Sequence, residues 1–224
     1  MSSPILYTLR QCPYAIRARL GLLLAEINFE QRDIDLRQKP TDMLAISNKG
    51  TVPLLVFENG DYVDESLEVM IWALNNNDPH DLLLSQKPHY FPEMLSLIAR
   101  NDYKYITALE HYKADTRYHN PEAPVYRKLC ESFLFDLESR LSQHKYLMAD
   151  QLSLADYAIL PFIRQFSHVE RQWFREADYP NLKQWLSDLY QDPIFSKAMT
   201  KYPLWESCTN TQATQHNDLT VISE

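Results

Sequence analysis

Three of the 224 residues are cysteines, Cys12, Cys130 and Cys208, and only the first stands where a sulfur can be made reactive. Cys12 ends the segment Leu9-Arg-Gln-Cys12 and is followed by Pro13-Tyr-Ala15 and a stretch with helical spacing. A helix starting there turns its unpaired N–H groups and the positive end of its dipole toward the sulfur, and Arg10, Arg17 and Arg19 add positive charge in the same stretch. A thiolate held in this way is a nucleophile for disulfides and other electrophiles. By residue type alone a lone cysteine is more often a small buried apolar side chain, so the Cys-Pro-Tyr-Ala setting is what singles it out. An odd number of scattered cysteines argues against a disulfide framework. The seven histidines include no pair four residues apart, so no zinc-binding helix face is expected and no metal is predicted.

The elements that must position Cys12 follow from apolar spacing and turn residues. Pro4 to Leu9 reads as a strand, and Pro13 fits the first helical position, where its missing N–H costs nothing. Ile16, Leu20, Leu23, Leu24 and Ile27 recur at three and four residues, one apolar face of a helix with Arg17 and Arg19 off it. Phe29 to Leu36 alternates as a second strand, expected to run parallel to the first. Lys39-Pro-Thr-Asp42 opens a short helix through Ile46, and Gly50-Thr-Val-Pro53 leads into a strand over Leu54 to Phe57. Glu58-Asn-Gly-Asp61 is a hairpin signal with Tyr62-Val63 returning, and Glu65 to Leu74 closes the unit as a helix. That order is the order of a thioredoxin-like α/β domain, assigned to 4–76. Residues 77–90, rich in Asn, Asp and Pro, read as a linker. From 91 to 205 strand signals vanish, and Phe91 to Tyr112, Tyr126 to Leu141, Ser153 to Val169 and Asn181 to Tyr190 carry helical periodicity, giving an all-α second domain. The polar stretch 206–224 is expected to be a mobile or loosely docked tail.

Within that framework, Cys12-Pro-Tyr-Ala15 after a short strand resembles the active-site motif of glutaredoxins, with alanine where the second cysteine of a dithiol pair would stand. Read from Ile5 through Ala15, the segment is similar to the cysteine-containing, omega-like branch of the glutathione transferase superfamily. The resemblance implies a thioredoxin-like N-terminal domain with an all-helical C-terminal domain, glutathione as co-substrate, a small electrophile or glutathionylated molecule as second substrate, and a homodimer. Lys39-Pro40 resembles the lysine that meets the glycine carboxylate of glutathione. Thr51-Val52-Pro53 resembles the loop whose proline is cis and whose preceding residue pairs its backbone with the cysteinyl part. Glu65-Ser66 resembles the pair at the γ-glutamyl end, and Tyr14 joins the glutathione site. Taken singly these residues have plainer readings: Ser66 at a helix start can bind a carboxylate or merely cap the helix, and an isolated Lys39 is a solvated charge. Ser153-Leu-Ala-Asp156 has the form of a capping box and is read as structural.

Two other readings compete. In other glutathione transferases a hydroxyl near the end of the first strand activates the bound thiol, and Tyr7 could take that part, although it shares a strand face with Ile5 and Leu9 and so reads first as a packed aromatic. A two-domain fold of this kind can also serve as a non-enzymatic interaction module. A substrate pocket is expected between the domains, with Tyr14, Tyr103 and Tyr112 as lining candidates. The formal net charge of −8, from 22 Lys and Arg against 30 Asp and Glu, works against binding nucleic acid. No apolar run approaches the roughly 20 residues of a membrane-spanning helix. The amino terminus lacks a signal-peptide pattern, so a reducing, cytoplasmic setting is expected.

Overall fold

In a computed structural model that describes residues 3–206, the first strand, β1 (Ile5–Thr8), stops where Arg10-Gln11 turn, and Pro13 opens α1 (Pro13–Leu24) at its first position. Then follow β2 (Glu30–Asp33), α2 (Thr41–Ile46), β3 (Leu54–Val56), β4 (Tyr62–Val63) and α3 (Ser66–Asn76). The sheet order is β2-β1-β3-β4: β1 runs parallel to β2, with Ile5 opposite Glu30, and antiparallel to β3, with Ile5 opposite Val56. Gly60, with φ of +88°, closes the β3–β4 hairpin. The parallel pairing across α1 and the hairpin are those the sequence pattern predicts.

Helix α1 departs from its amphipathic reading. Arg17 and Arg19 are buried along with Ile16, Ala18, Leu20 and Leu22, because α1 is covered on all sides, by the sheet, by α3 and by the helical domain. Gly21 makes the contact with α3 possible: a Cβ there would fall 2.6 Å from the Met70 Cα.

The remainder is helical: α4 (Tyr90–Arg100), a π-helical segment Asn101–Tyr105, α5 (Ile106–Arg117), α6 (Ala123–Leu141), α7 (Leu154–Ser167), α8 (Arg171–Glu176), α9 (Pro180–Gln191) and α10 (Pro193–Ala198). The π segment, α8 and α10 carry no signature in the sequence pattern; six residues are too few to display a period. One apolar core runs from Leu6 and Leu55 of the sheet through α1 and α3 into α5, α6, α7 and α9, so the two regions share a packed interface. A smaller cluster, of Tyr7, Ala15, Ile34, Met43, Val52, Leu54 and Val56, lies on the other face of the sheet under α2. After α10 the chain returns to the N-terminal region, where Leu204 bridges Asp33 at the edge of β2. Of the stretch expected to be a tail, all but Glu206 lies outside the described residues, as does Cys208.

At the start of α7 the capping box is present, and Asp156 does more than cap. Fully buried, its carboxylate accepts from the Ser153 and Leu147 backbone N–H groups (both 3.0 Å), the Ser153 hydroxyl (2.7 Å) and the Trp185 indole N–H (2.9 Å). One side chain thereby ties the loop before α7, α7 itself and α9 together. Burial pushes its acidity toward the neutral form while these four donors work against that shift.

Candidate active site

Cys12 is the N-cap of α1, with extended dihedrals (φ −71°, ψ 123°), and no side chain caps that helix start. Its carbonyl accepts the first helical bond from Ile16 N–H at 2.9 Å, and its own N–H is used by the Leu9 carbonyl at 3.1 Å. The sulfur is partly exposed and unpaired in any disulfide. It packs against the small cluster that contains Val52 and Ala15. The only other cysteine among the described residues, Cys130, is buried in α6, and burial pushes its thiol up to about 12.

The loop that presents Cys12 is held from beneath by Arg19. Its guanidinium donates to the Thr8 hydroxyl, to the Leu9 carbonyl (3.4 Å), to the Arg10 carbonyl (2.7 Å) and, across the domain interface, to the Ala198 carbonyl (2.7 Å). Burial lowers the Arg19 pKa to about 10, while negative charge at Asp33 and Cys12 opposes that shift, so the residue stays cationic at neutral pH. Arg17 is engaged elsewhere than beside the sulfur. It makes a bidentate pair with Asp102 (2.7 and 2.9 Å), donates Nε to the Ala158 carbonyl (2.8 Å), and reaches the Ser66 hydroxyl at 3.5 Å. The expectation of local positive charge for Cys12 is thus corrected for Arg17, which is a strut between the two domains, whereas Arg19 both joins the domains and interacts with the charge at Cys12.

Ser66 is buried as the first residue of α3, whose N-cap, Glu65, provides no side-chain bond to the helix. The Glu65 carboxylate is exposed and meets Lys49 Nζ at 3.1 Å, and Lys49 also pairs with Asp64 at 3.0 Å. Val52-Pro53 is a cis peptide bond immediately before β3. Lys39 is exposed, and its side chain lies over Gly50: a Cβ at Gly50 would sit 3.1 Å from Lys39 Nζ, and φ there is +57°. Glycine therefore serves both the turn and the space the lysine occupies. Tyr14 is 36% exposed, edge-on to Phe162 of α7 with ring centres 5.1 Å apart. Burial first, then the charge of Asp102, raises its pKa.

Two of the pocket candidates fall elsewhere. Tyr112 is fully buried in the helical core, packed on Phe166 and donating to Glu170 Oε2 at 2.6 Å, where Arg127 also arrives at 2.7 Å; it has no surface to offer a substrate. Tyr103 is 79% exposed and lines a groove of about 470 Å³ with Leu129 and Phe133, against α6. None of the residues assembled around Cys12 lines that groove. Helical periodicity could not choose between these faces, because both positions lie on a long helix with more than one buried side. Asp102 and Lys49 are residues that sequence reasoning missed, and for Arg17 it missed the partners. The partners named above are 15 to 141 positions away in the chain, and one is a backbone carbonyl, which carries no side-chain signal.

Tyr7 is 1% exposed, and its hydroxyl is already engaged. It donates to Asp42 Oδ2 at 2.9 Å and accepts from Arg32 Nη1 at 2.8 Å. Burial, reinforced by Asp42, pushes its pKa up to about 12, and the one proton of the hydroxyl is committed to Asp42, so it has none to donate to a thiolate.

A thioredoxin-like unit with a cysteine at an uncapped helix start, a cis proline before the central strand and an all-helical second domain defines a glutathione transferase architecture. Residues 6–80 match the family model "Glutathione S-transferase, N-terminal domain" and residues 120–188 match "Glutathione S-transferase, C-terminal domain". The chain belongs to the glutathione transferase superfamily. It is 26% identical over 191 residues to glutathione S-transferase omega-1 of Mus musculus, covering 85% of this chain and 78% of the mouse protein. Among solved structures it resembles glutathione transferase Omega 3C from Trametes versicolor (TM-score 0.76, 19% identity, 91% of this chain and 92% of that one). It also resembles a Pseudomonas fluorescens family member with two glutathione molecules bound (TM-score 0.76, 16% identity, 88% and 92%). Among the described residues no helix is long and apolar enough to cross a membrane, and no group of three or more His, Cys, Asp or Glu could hold a metal ion.

Proposed function

We propose that this chain is a cysteine-type glutathione transferase that moves glutathionyl groups between sulfurs. The observation that carries the reading is the position of Cys12: partly exposed, at the start of a 12-residue helix whose first N–H groups no side chain has claimed. The Cys12 thiolate attacks the glutathione sulfur of a mixed disulfide, the other half of that disulfide leaves as a thiolate, and Cys12 carries the glutathionyl group. A second glutathione thiolate then attacks that disulfide, releasing oxidised glutathione and the Cys12 thiolate. The resolving thiol comes from solution, because Ala15, fully buried, stands where a dithiol motif would keep its second sulfur.

Glutathione lies with its glycine carboxylate at Lys39, its cysteinyl backbone against Val52 ahead of cis Pro53, and its γ-glutamyl end at Glu65 and Ser66, with Tyr14 beside the cleft. Lys49, already on Glu65, and the Arg17–Asp102 pair behind Ser66 set the charge at that end. The active form is a homodimer in the reducing cytoplasm, and the second substrate is a small electrophile or a glutathionylated molecule.

A transfer assay with a small glutathione mixed disulfide tests this reading. Cys12→Ala loses activity to background while glutathione binding, measured by calorimetry, persists, because no binding residue has been altered. Tyr7→Phe keeps the activity. Full activity in Cys12→Ala together with loss in Tyr7→Phe would replace the thiol mechanism by a hydroxyl one.

A further inference from the structure

Beyond α10 the chain does something that the two-domain arrangement does not require. Leu204 forms a parallel bridge with Asp33, and the Trp205 N–H donates to the Asp33 carbonyl at 2.6 Å. Strand β2 is an edge of the sheet, so this strap covers an otherwise open row of backbone groups. The Trp205 indole then lies over the Arg32 guanidinium, 3.9 Å from ring centre to Cζ, and the same guanidinium is 5.3 Å from the centre of the Tyr7 ring.

Arg32 passes this contact inward. It donates to Glu30 Oε1 (2.6 Å), to the Tyr7 hydroxyl (2.8 Å) and to Asp42 Oδ2 (3.4 Å), while Tyr7 donates to the same Asp42 oxygen at 2.9 Å. The other oxygen of Asp42 is buried with no partner among the described residues, so the carboxylate is held entirely through Oδ2. Asp42 is the second residue of α2, three positions after Lys39, with Pro40 as the intervening N-cap. Helix α2 has six residues, is far too short to persist without tertiary support, and has a single buried residue, Met43. The Asp42 bonds anchor its first turn alongside the buried Pro40 and Met43, and those bonds depend on Arg32 and Tyr7.

We propose that Trp205 and Arg32 are positioning residues for the glycine end of glutathione: the strap fixes Arg32, Arg32 and Tyr7 fix Asp42, and the first turn of α2 fixes where Lys39 can reach. The inference rests on the reading that Lys39 receives the glycine carboxylate. Neither Trp205 nor Arg32 touches the ligand. Their effect is confined to one end of it, which separates this role from a general contribution to folding.

The experiment compares glutathione with glutathione esterified at its glycine carboxylate, by calorimetry on the full chain. The unaltered protein binds glutathione about tenfold more tightly than the ester, the worth of one charge-assisted contact, and Lys39→Ala removes that preference. Trp205→Ala and Arg32→Gln each remove most of it by weakening glutathione, with the ester changed less than about twofold. Trp205→Phe, which keeps an aromatic face over the guanidinium, restores it. In Lys39→Ala the addition of Trp205→Ala has no further effect on the ratio. Should Trp205→Ala not fold, Trp205→Leu keeps bulk without the aromatic face and carries the same test. A Trp205 or Arg32 variant that keeps the tenfold preference, or weakens both ligands equally, overturns the proposal. If the unaltered protein binds glutathione and ester equally, the Lys39 reading fails and the proposal with it. If only the strap variants keep the preference, the Lys39 reading stands alone.

Discussion

Helix starts in this molecule are built in two opposite ways. At α7 the Ser153–Asp156 box uses every oxygen it has, four donors meet one fully buried carboxylate, and nothing is left for a ligand. At α1 and α3 the N-caps are Cys12 and Glu65, neither of which bonds its own helix through its side chain. An uncapped helix start forgoes stability worth roughly 1 kcal/mol. The difference separates two roles: the closed start joins α7 to α9 and holds the helical domain together, whereas the starts of α1 and α3 leave N–H groups for the proposed glutathione site.

The largest expected effect comes from breaking the closed start. Asp156→Ala leaves the Leu147 and Ser153 N–H groups and the Trp185 indole N–H without their acceptor in a buried site, at a cost of roughly 3 kcal/mol or more. Thermal melting should fall by about 6–12 °C for a chain of this size, with glutathione affinity unchanged in the folded fraction. An unchanged melting curve, or a selective loss of glutathione binding, would mean that the two kinds of helix start do not divide the work in this way.

Ser66→Ala tests the open start of α3. Losing a hydroxyl partner of a carboxylate should weaken glutathione roughly tenfold in calorimetry, with less effect on melting than Asp156→Ala. Equal affinity would remove Ser66 from the site.

Tyr7 sharpens the contrast through pH. Its folded-state pKa, near 12, lies above its ordinary value of 10, so the folded protein keeps a proton that the unfolded chain has lost. That contribution to stability is complete below pH 10 and disappears as pH rises from 10 to 12. Denaturant midpoints across this window should fall more for the parent than for Tyr7→Phe. Parallel curves would contradict the buried, hydrogen-bonded role assigned to the hydroxyl.

The smallest effect, and the one that speaks most directly to the contrast, is Cys12→Ser. Serine is a good N-cap and Cys12 already has N-cap dihedrals, so closing this start should stabilise the fold by about 0.5–1 kcal/mol while transfer activity is lost. A destabilised Cys12→Ser protein would mean that the start of α1 is not open.

The same contrast explains what could be read in the chain. Closed features are local and leave local marks: Pro13 at a first helical position, Asn59-Gly60 in the hairpin, and Ser153 three residues before Asp156 were all legible. The cis Val52-Pro53 bond was legible only through the family resemblance, since no local residue pattern requires it. What escaped depends on long-range partners. Arg17 and Arg19 look like the polar side of an amphipathic helix, and nothing nearby announces that Asp102 and the Ala158 and Ala198 carbonyls will bury them. Tyr112 looked like a cleft aromatic because Glu170, which satisfies its hydroxyl, is 58 residues away. Helices α8 and α10 are too short for a period, and the return of Leu204 and Trp205 to β2 has no signal before the sheet edge exists.

The central claim is that the open start of α1 makes Cys12 the sulfur that carries glutathione. The measurement is peptide mass spectrometry of the protein after incubation with oxidised glutathione, with and without subsequent reduced glutathione. The account predicts one glutathionyl adduct, on the peptide containing Cys12, removed by reduced glutathione. An adduct on Cys130 or Cys208 with Cys12 unmodified, or no adduct on a protein that still transfers glutathionyl groups, would contradict it.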